Sequence, residues 1–586
     1  MKLIGAYFLK FYWLIFALVV YFYLSLYVSP VIGLGSGEFN MNLASSSYPL
    51  AVISIDNNAG TLVDKYAAPV AGFFSEARIN RIGPLETIQT VIEPEYSLRI
   101  FNTVFPVMKN KYTGALSYYY ARFFNLFGNN KVFLIHFASI FLGATIIILT
   151  ACLAYFFLGR KVAILCTFLL STNPLFIIFK RLPAFPEHFT ELFSIGILIV
   201  LLLYLKTQRV KYLYLCAFFI GLAIYQKATI FWTLSALFVL AIVFRPKTNL
   251  NPRRLIIGFI YFLLGILPLL LYNFLCLGTI NLSASFFLKE AFLQEVSARI
   301  SDWFYRFIFI FGDPVGFFRY LFYGIRTSTI NYFLNAILLS SFLFPFFSLL
   351  KKEPWTKKIK VIFFPLLVVL MLFSMSIINR VGFDFPHTFL LVPFVVIIES
   401  VFLVYFLEIL EELTAGNFKW LTKQAFFFIL ITLLVFLQIS QVRAYYFNES
   451  ENRSPVTIMA DSHKELVKYL LNEKITHPVT TNFNLMGIIE FLSQEKVMPI
   501  HYWMVWKDSK IKDKTLGQII LKNTNGYYIL KVGFKFDIFN VFPEPTVSNF
   551  LEIAKENKIN PSLIKDIYSR NGTLMFSIYK LHPVNI

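Results

Sequence analysis

Long apolar runs, more than any motif, limit what this chain can fold into. Roughly eleven stretches are each apolar enough for one bilayer crossing: about 7–29, 132–158, 162–179, 188–205, 212–226, 228–244, 255–275, 331–350, 359–378, 388–408 and 424–442. In lipid, backbone N–H and C=O groups find no water. A segment must satisfy its own polar groups as a helix or close into a barrel, and runs of this length are the helical solution. The pattern therefore predicts a polytopic α-helical membrane protein of about eleven transmembrane helices. Some runs are short, and Asn173-Pro174 and Pro183 to Pro186 predict helix breaks near membrane depth. Charged residues make up 15% of the chain and hydrophobic ones 57%. A soluble domain carries about 25% charged residues, so most of this chain needs the bilayer as solvent.

The formal charge of +20 is read against the same background. In a soluble protein it would point to nucleic acid. Here the basic residues fall into short loops: Arg160 and Lys161; Lys206, Arg209 and Lys211; Arg245, Lys247, Arg253 and Arg254; Lys351, Lys352, Lys357, Lys358 and Lys360; Lys419 and Lys423. Short basic loops are cytoplasmic by the positive-inside rule, and no nucleic-acid partner is expected. The alternate connections are then extracytoplasmic. They comprise the long first loop at about 30–130, Lys180–His188, Gln226-Lys227, about 276–330, Asn379–Thr388 and the tail. The expected location is an inner (plasma) membrane, crossed many times, with the N-terminus cytoplasmic. Lys2 and Lys10 flank an apolar run too long for a signal peptide, which predicts an uncleaved first span. Cys152, Cys166, Cys216 and Cys276 lie in or beside apolar runs with no metal-ligand spacing.

Two regions differ from the spans. The first loop holds polar and aromatic groups, with an interfacial helical stripe or plain loop packing at Tyr118–Phe127. From about 443 to 586 the pattern alternates. Helices are expected at Asp461–Glu473 and Met486–Glu495, and strands at Pro478–Phe483, Val497–Trp503, Tyr527–Val532 and Leu574–Tyr579. The division expected is a transmembrane domain at 1–442 and a small extracytoplasmic α/β domain at 443–586.

Four places could carry chemistry. Asp56, soon after the first span, is a candidate general base or simply a solvated acid or helix cap. The stretch from Lys180 and Arg181 to Glu187 and His188, with Glu191 one turn on, puts charges at the mouth of a span. Arg181 could grip a phosphate, and Glu187 could orient an acceptor or hold a cation; an interfacial ion pair is the plainer account. Lys227 is the sole cation in a tight turn between two spans, suited to a lipid phosphate or acting as an anchor. Arg380, Asp384 and His387 form the fourth group, with His387 a proton carrier, a phosphate donor or an interfacial polar residue. No Walker loop, HExxH or GxSxG is present, which fits a donor already activated as a lipid phosphate.

Taken in order, these segments resemble the polytopic glycosyltransferase-C superfamily, in particular transferases related to protein O-mannosyltransferase and lipid A aminoarabinose transferase. Ile53-Ser54-Ile55-Asp56 is similar to the family's first-loop acidic motif, and Tyr112-Thr113-Gly114-Ala115-Leu116 to its Tyr-x-Gly-x-Leu segment. Phe124 to Gly128, Gly221-Leu222 with Lys227 and Trp232, and His387 with Pro393 follow in the family's order. Two positions depart from it: Asn57 stands where a second acid is usual, and Pro183 where relatives carry an acid after the Arg. The resemblance implies sugar transfer from a polyprenyl-phosphate donor to an extracytoplasmic glycan, lipid or protein. Asp56 would activate the acceptor with Glu187 beside it, while Tyr112, Arg181, Lys227, Arg380 and His387 would hold donor and departing phosphate. It leaves divalent-cation use open, since some relatives use one and others do not. The alternative is a transporter or flippase for a lipid-linked or anionic solute. A transporter predicts mid-span charges and repeated halves, whereas here the charges gather at the outer edge and no repeat is seen.

Overall fold

The computed structural model describes residues 2–26, 52–56, 79–81, 87–91, 97–100, 103–110, 113–128, 131–182, 185–246, 251–276, 307–323, 332–350, 355–378, 385–413, 419–450, 462–480, 485–493, 496–497, 499–501, 516–517, 519–521, 523–532, 547–569 and 572–583. Helix α1 (Lys2–Leu26) is followed by seven short strands: β1 (Val52–Asp56), β2 (Ile79–Arg81), β3 (Thr87–Val91), β4 (Ser97–Ile100), β5 (Thr103–Pro106), β6 (Met108–Asn110) and β7 (Thr113–Gly114). These strands form a three-stranded antiparallel sheet in the order β1-β3-β2 and two separate pairs, β4-β5 and β6-β7. Next comes α2 (Leu116–Asn125), which buries Ser117, Tyr118, Ala121 and Phe124 and exposes Tyr119 and Phe123. That split is the one expected of a helix lying along an interface.

The membrane helices then run in sequence: α3 (Lys131–Phe157), α4 (Arg160–Thr172), α5 (Pro174–Lys180), α6 (Phe185–Thr207), α7 (Val210–Gln226), α8 (Ile230–Phe244) and α9 (Pro252–Cys276). After the short α10 (Pro314–Tyr323) come α11 (Tyr332–Leu350), α12 (Trp355–Ile378), α13 (Phe385–Thr388), α14 (Val392–Leu413) and α15 (Lys419–Ser450). Among the described residues, five helices are long and apolar enough to cross a membrane, or six with the bent pair α4–α5. The other apolar runs form shorter apolar helices at Phe11–Leu26, Val210–Gln226, Ile230–Phe244, Tyr332–Phe346 and Val361–Met375.

Two local features set the shape of the bundle. Helices α4 and α5 meet at an angle of 56°. Pro174 cannot continue the preceding helix, and the Asn173 side chain restarts it by accepting the Phe176 N–H at 3.1 Å. Helices α7 and α9 touch backbone to backbone: a Cβ on Gly221 would lie 2.3 Å from Phe262 O, and one on Gly265 2.3 Å from Phe218 O. Small residues of this kind let membrane helices approach closely. The window Phe389–Ile409 is 78% buried and central, while Pro252–Phe274 and Ala425–Tyr446 are 28% buried and present Phe259, Ile260, Phe428 and Phe436 outward. Apolar faces this broad are suited to lipid.

The C-terminal part contains α16 (Ser462–Asn472), β8 (Val479–Thr480), α17 (Leu485–Ser493), β9 (Ile500–His501), β10 (Tyr527–Lys531), α18 (Val547–Glu556), β11 (Ile559–Tyr568) and β12 (Leu574–Pro583). Its sheet runs β11-β12-β10-β8-β9, with β8 parallel to both neighbours and β12 antiparallel to both of its own. One face packs on α18 through Phe550 and Ile553, and the other on α16 and α17 through Leu466, Leu470 and Ile489. Ile488 of α17 packs with Ala121 and Phe124 of α2 and with Ile135 and Ala138 of α3, and β9 runs beside β1. This C-terminal sheet and its helices therefore rest on α2, α3 and β1.

Candidate functional site

Charged side chains collect where α5 ends and α6 begins. Glu187 and Glu191 are four residues apart on α6 and so share a face of its first turns. Each is paired with a lysine from another element. Lys180, at the end of α5, forms an ion pair with Glu191, both fully buried. Lys227, just past α7, forms one with Glu187, also buried. His188 Nδ1 lies 2.9 Å from Lys180 Nζ, and His188 Nε2 lies 3.0 Å from the Leu182 carbonyl. An ammonium can only donate and a carbonyl only accept, so this imidazole is neutral with its proton on Nε2. The same Glu187 oxygen, Oε1, lies 3.9 Å from His387 Nδ1, and the His387 and Trp232 rings meet edge to face with centroids 5.2 Å apart.

Arg181 lies on the turn between the two helices. Its guanidinium sits over the Tyr446 ring at 4.8 Å, and Tyr446 in turn donates its hydroxyl to Leu24 O at 2.7 Å. The turn is held from two helices: His136 Nδ1 donates to Arg181 O at 2.5 Å, Ser139 donates to Leu182 O at 2.6 Å, and His188 donates to the same oxygen. Lys180 and Lys227 pair with Glu191 and Glu187, and Arg181 on the adjoining turn gives the five side chains one excess formal positive charge. An excess cation in a partly dry site is suited to an anionic group.

The first loop is fastened to this cluster. Thr113 and Lys227 form an isolated backbone bridge. Ala115 N–H donates to Tyr225 OH at 2.9 Å, and that hydroxyl donates to Val107 O at 2.6 Å. Gly114 leaves the room for this, because a Cβ there would lie 2.6 Å from Tyr225 O. The motif around Gly114 and the motif ending in Lys227, far apart in sequence, are thus one piece of structure.

The structure brings Glu187, Lys227 and His387 together and sets Arg181 on the adjoining turn. Asp56 ends β1, opposite Thr87, in the sheet beside β9. The Asp56 side chain lies outside the described residues, as do Tyr112 and Arg380. The expectation of a lone cation at Lys227 needs correcting, since Glu187 neutralises it. Buried ammonium groups require such a partner. Sequence reasoning grouped Lys180, His188 and Glu191 but gave them no role, and it passed over His136, Ser139 and Tyr446. A signal existed for His136 and Ser139: they are polar, three residues apart and therefore on one face of an apolar span. Among the described residues, no three His, Cys, Asp or Glu side chains are grouped to hold a metal ion.

The fold and this charged cluster are those of a polytopic helical membrane protein. Residues 115–272, from α2 to α9, match the family described as dolichyl-phosphate-mannose-protein mannosyltransferase. The apo oligosaccharyltransferase of Archaeoglobus fulgidus has a similar fold, at 11% identity over 99% of this chain and 75% of that one, with a TM-score of 0.50. Its complex with Zn and sulfate aligns at 12% identity over 96% and 72%, with a TM-score of 0.51. ArnT from Cupriavidus metallidurans, bound to undecaprenyl phosphate, aligns at 12% identity over 89% and 98%, with a TM-score of 0.46. No curated protein sequence matches the chain. At these identities the likeness to the two Archaeoglobus fulgidus structures is one of fold. With the family match over residues 115–272, the chain is similar to glycosyltransferase-C proteins.

Proposed function

We propose that this protein moves a sugar from a polyprenyl-phosphate donor to an acceptor, a glycan, lipid or protein, on the extracytoplasmic side of the plasma membrane. The observation that carries the reading is the meeting of Glu187, Lys227 and His387 at one end of α5, α6 and α7, with Arg181 on the adjoining turn and the first loop pinned onto Lys227. All but His387 lie inside the region that matches the mannosyltransferase family. In the orientation we propose, the N-terminus is cytoplasmic, and the first loop, this cluster and the domain at 443–586 are outside.

In the reaction, an acceptor hydroxyl or amine attacks the anomeric carbon as the bond from that carbon to the phosphate oxygen breaks on the opposite face. The electron pair leaves with the lipid phosphate, and the acceptor proton passes to Asp56. Arg181 offers two parallel N–H groups to the departing phosphate. Lys227, held by Glu187, and His387 add hydrogen-bond donors at the same place. Tyr112 and Arg380 complete the donor site in this reading. The leaving group is already a stable anion, so the protein's main work is to place the reactants and balance charge.

The test is Asp56→Asn in cells that lack the native gene. The variant should reach wild-type protein level, yet mass spectrometry of envelope glycans, lipids and proteins should show the same missing sugar as the deletion. Full restoration of the product would remove Asp56 from the role of base.

A further inference from the structure

A second polar site lies deeper in the bundle, apart from the cluster above. A cavity opens at the α4–α5 break and is walled by α11, α14 and α15, with about 610 Å³ of empty space including its mouth. Its polar lining comes from Asn173, Glu399, Gln438 and Gln441, and the rest is largely apolar. Glu399 is also an exception to the expectation that charges gather at the outer edge, because it sits within the most buried of the long spans.

A carboxylate at this depth is costly unless positive charge compensates it. Among the described residues, no lysine, arginine or histidine forms an ion pair with Glu399; Lys180 and Lys227 are taken up by Glu191 and Glu187. Asp313, between the lining residues Gly312 and Pro314, is turned onto the Gly316 N–H at 3.0 Å. Among the described residues, that leaves a proton on the carboxylate or a cation entering the cavity to balance it. Two of the amide oxygens are already fixed in place: Gln438 Oε1 accepts from Thr172 Oγ1 at 2.6 Å, and Asn173 Oδ1 from the Phe176 N–H at 3.1 Å. Each keeps a second lone pair. Oxygen donors alone suit a hard cation. One formal negative charge is balanced by a monovalent ion, whereas a divalent ion would leave net charge in an apolar surrounding.

We propose that this cavity binds one monovalent metal cation, sodium or potassium, through Glu399 and the amide oxygens of Asn173, Gln438 and Gln441. The ion would tie the start of α5, which carries Lys180 at its other end, to α15, which carries Tyr446 beneath Arg181. The proposal stands apart from the transferase reading, because its test reads stability and not turnover.

The experiment is thermal unfolding of the purified full-length protein in detergent. Sodium, potassium, calcium and N-methyl-D-glucamine chlorides are compared at equal ionic strength and at several pH values. Binding to the folded state should raise the midpoint saturably by at least about 2 °C in sodium or potassium over N-methyl-D-glucamine. Glu399→Gln, which keeps the shape, should abolish the rise, and Gln438→Leu should weaken it. The proposal is overturned by equal midpoints in all four salts, by a midpoint that follows pH alone (a protonated Glu399), by a rise with calcium only, or by a sodium rise that survives in Glu399→Gln.

Discussion

Replacing Gly114 with alanine adds one carbon where the backbone of α7 already lies. The new Cβ would be 2.6 Å from Tyr225 O and 2.7 Å from the Tyr225 ring, against 3.4 Å for ordinary contact. A helix carbonyl cannot step aside, so the first loop must retreat by most of an ångström. Retreat loosens the Ala115 N–H bond to Tyr225 OH and the Thr113–Lys227 bridge. Two hydrogen bonds at about 0.5–1.5 kcal/mol each, plus about 1–3 kcal/mol of overpacking, give a loss of about 2–6 kcal/mol in loop docking. Even the lower figure shifts the docked-to-loose ratio by about 30-fold. The loop docks from outside the bundle, so the thermal midpoint should change little while limited proteolysis within residues 30–130 speeds up and sugar transfer falls by a similar factor. Tyr225→Phe removes the shared hydroxyl without adding volume and should show the same effects more weakly. A Gly114→Ala protein that resists protease and turns over like wild type would refute the docking argument.

Three further perturbations probe other contacts. Glu187→Gln strands the Lys227 ammonium and should lower stability by about 3–5 kcal/mol, whereas the double change with Lys227→Met should recover much of the thermal midpoint but no transfer; simple additivity would mean the pair is not coupled. Gly265→Val drives a side chain into Phe218 O and should collapse the yield of folded protein, while Gly258→Val on the same helix, with nothing within 4 Å, should be harmless in the same size-exclusion assay. Tyr446→Leu removes the ring beneath Arg181 and should raise KM for the lipid donor several-fold with little change in kcat, and Tyr446→Phe should restore KM; equal behaviour of the two variants would show the ring to be irrelevant.

Much of the helical frame was readable because bilayer thickness imposes a length that apolar runs display directly. The bend at Asn173-Pro174 was readable too, since proline acts locally. The strands of the first loop were not, because β2, β6 and β7 are only two or three residues long and carry little pattern. In the tail, β11 was missed: Pro561, Lys565 and Asp566 interrupt the alternation, which an edge strand tolerates with one side open. The candidate site was half legible. Arg181, Glu187, Lys227 and His387 were recognisable as charges at span mouths, but the pairing of Lys227 with Glu187 joins residues forty positions apart. Only helix packing decides such a pairing.

The seating of α17 on α2 and α3 makes the tail a roof and not an appendage. Cutting the chain after the last membrane helix would strip the cover from Ala121, Phe124, Ile135 and Ala138 and leave a greasy patch exposed. A shortened version would therefore tend to clump before it could be assayed. Exchanging this roof for that of a distant relative would succeed only if the helix beneath it were exchanged as well.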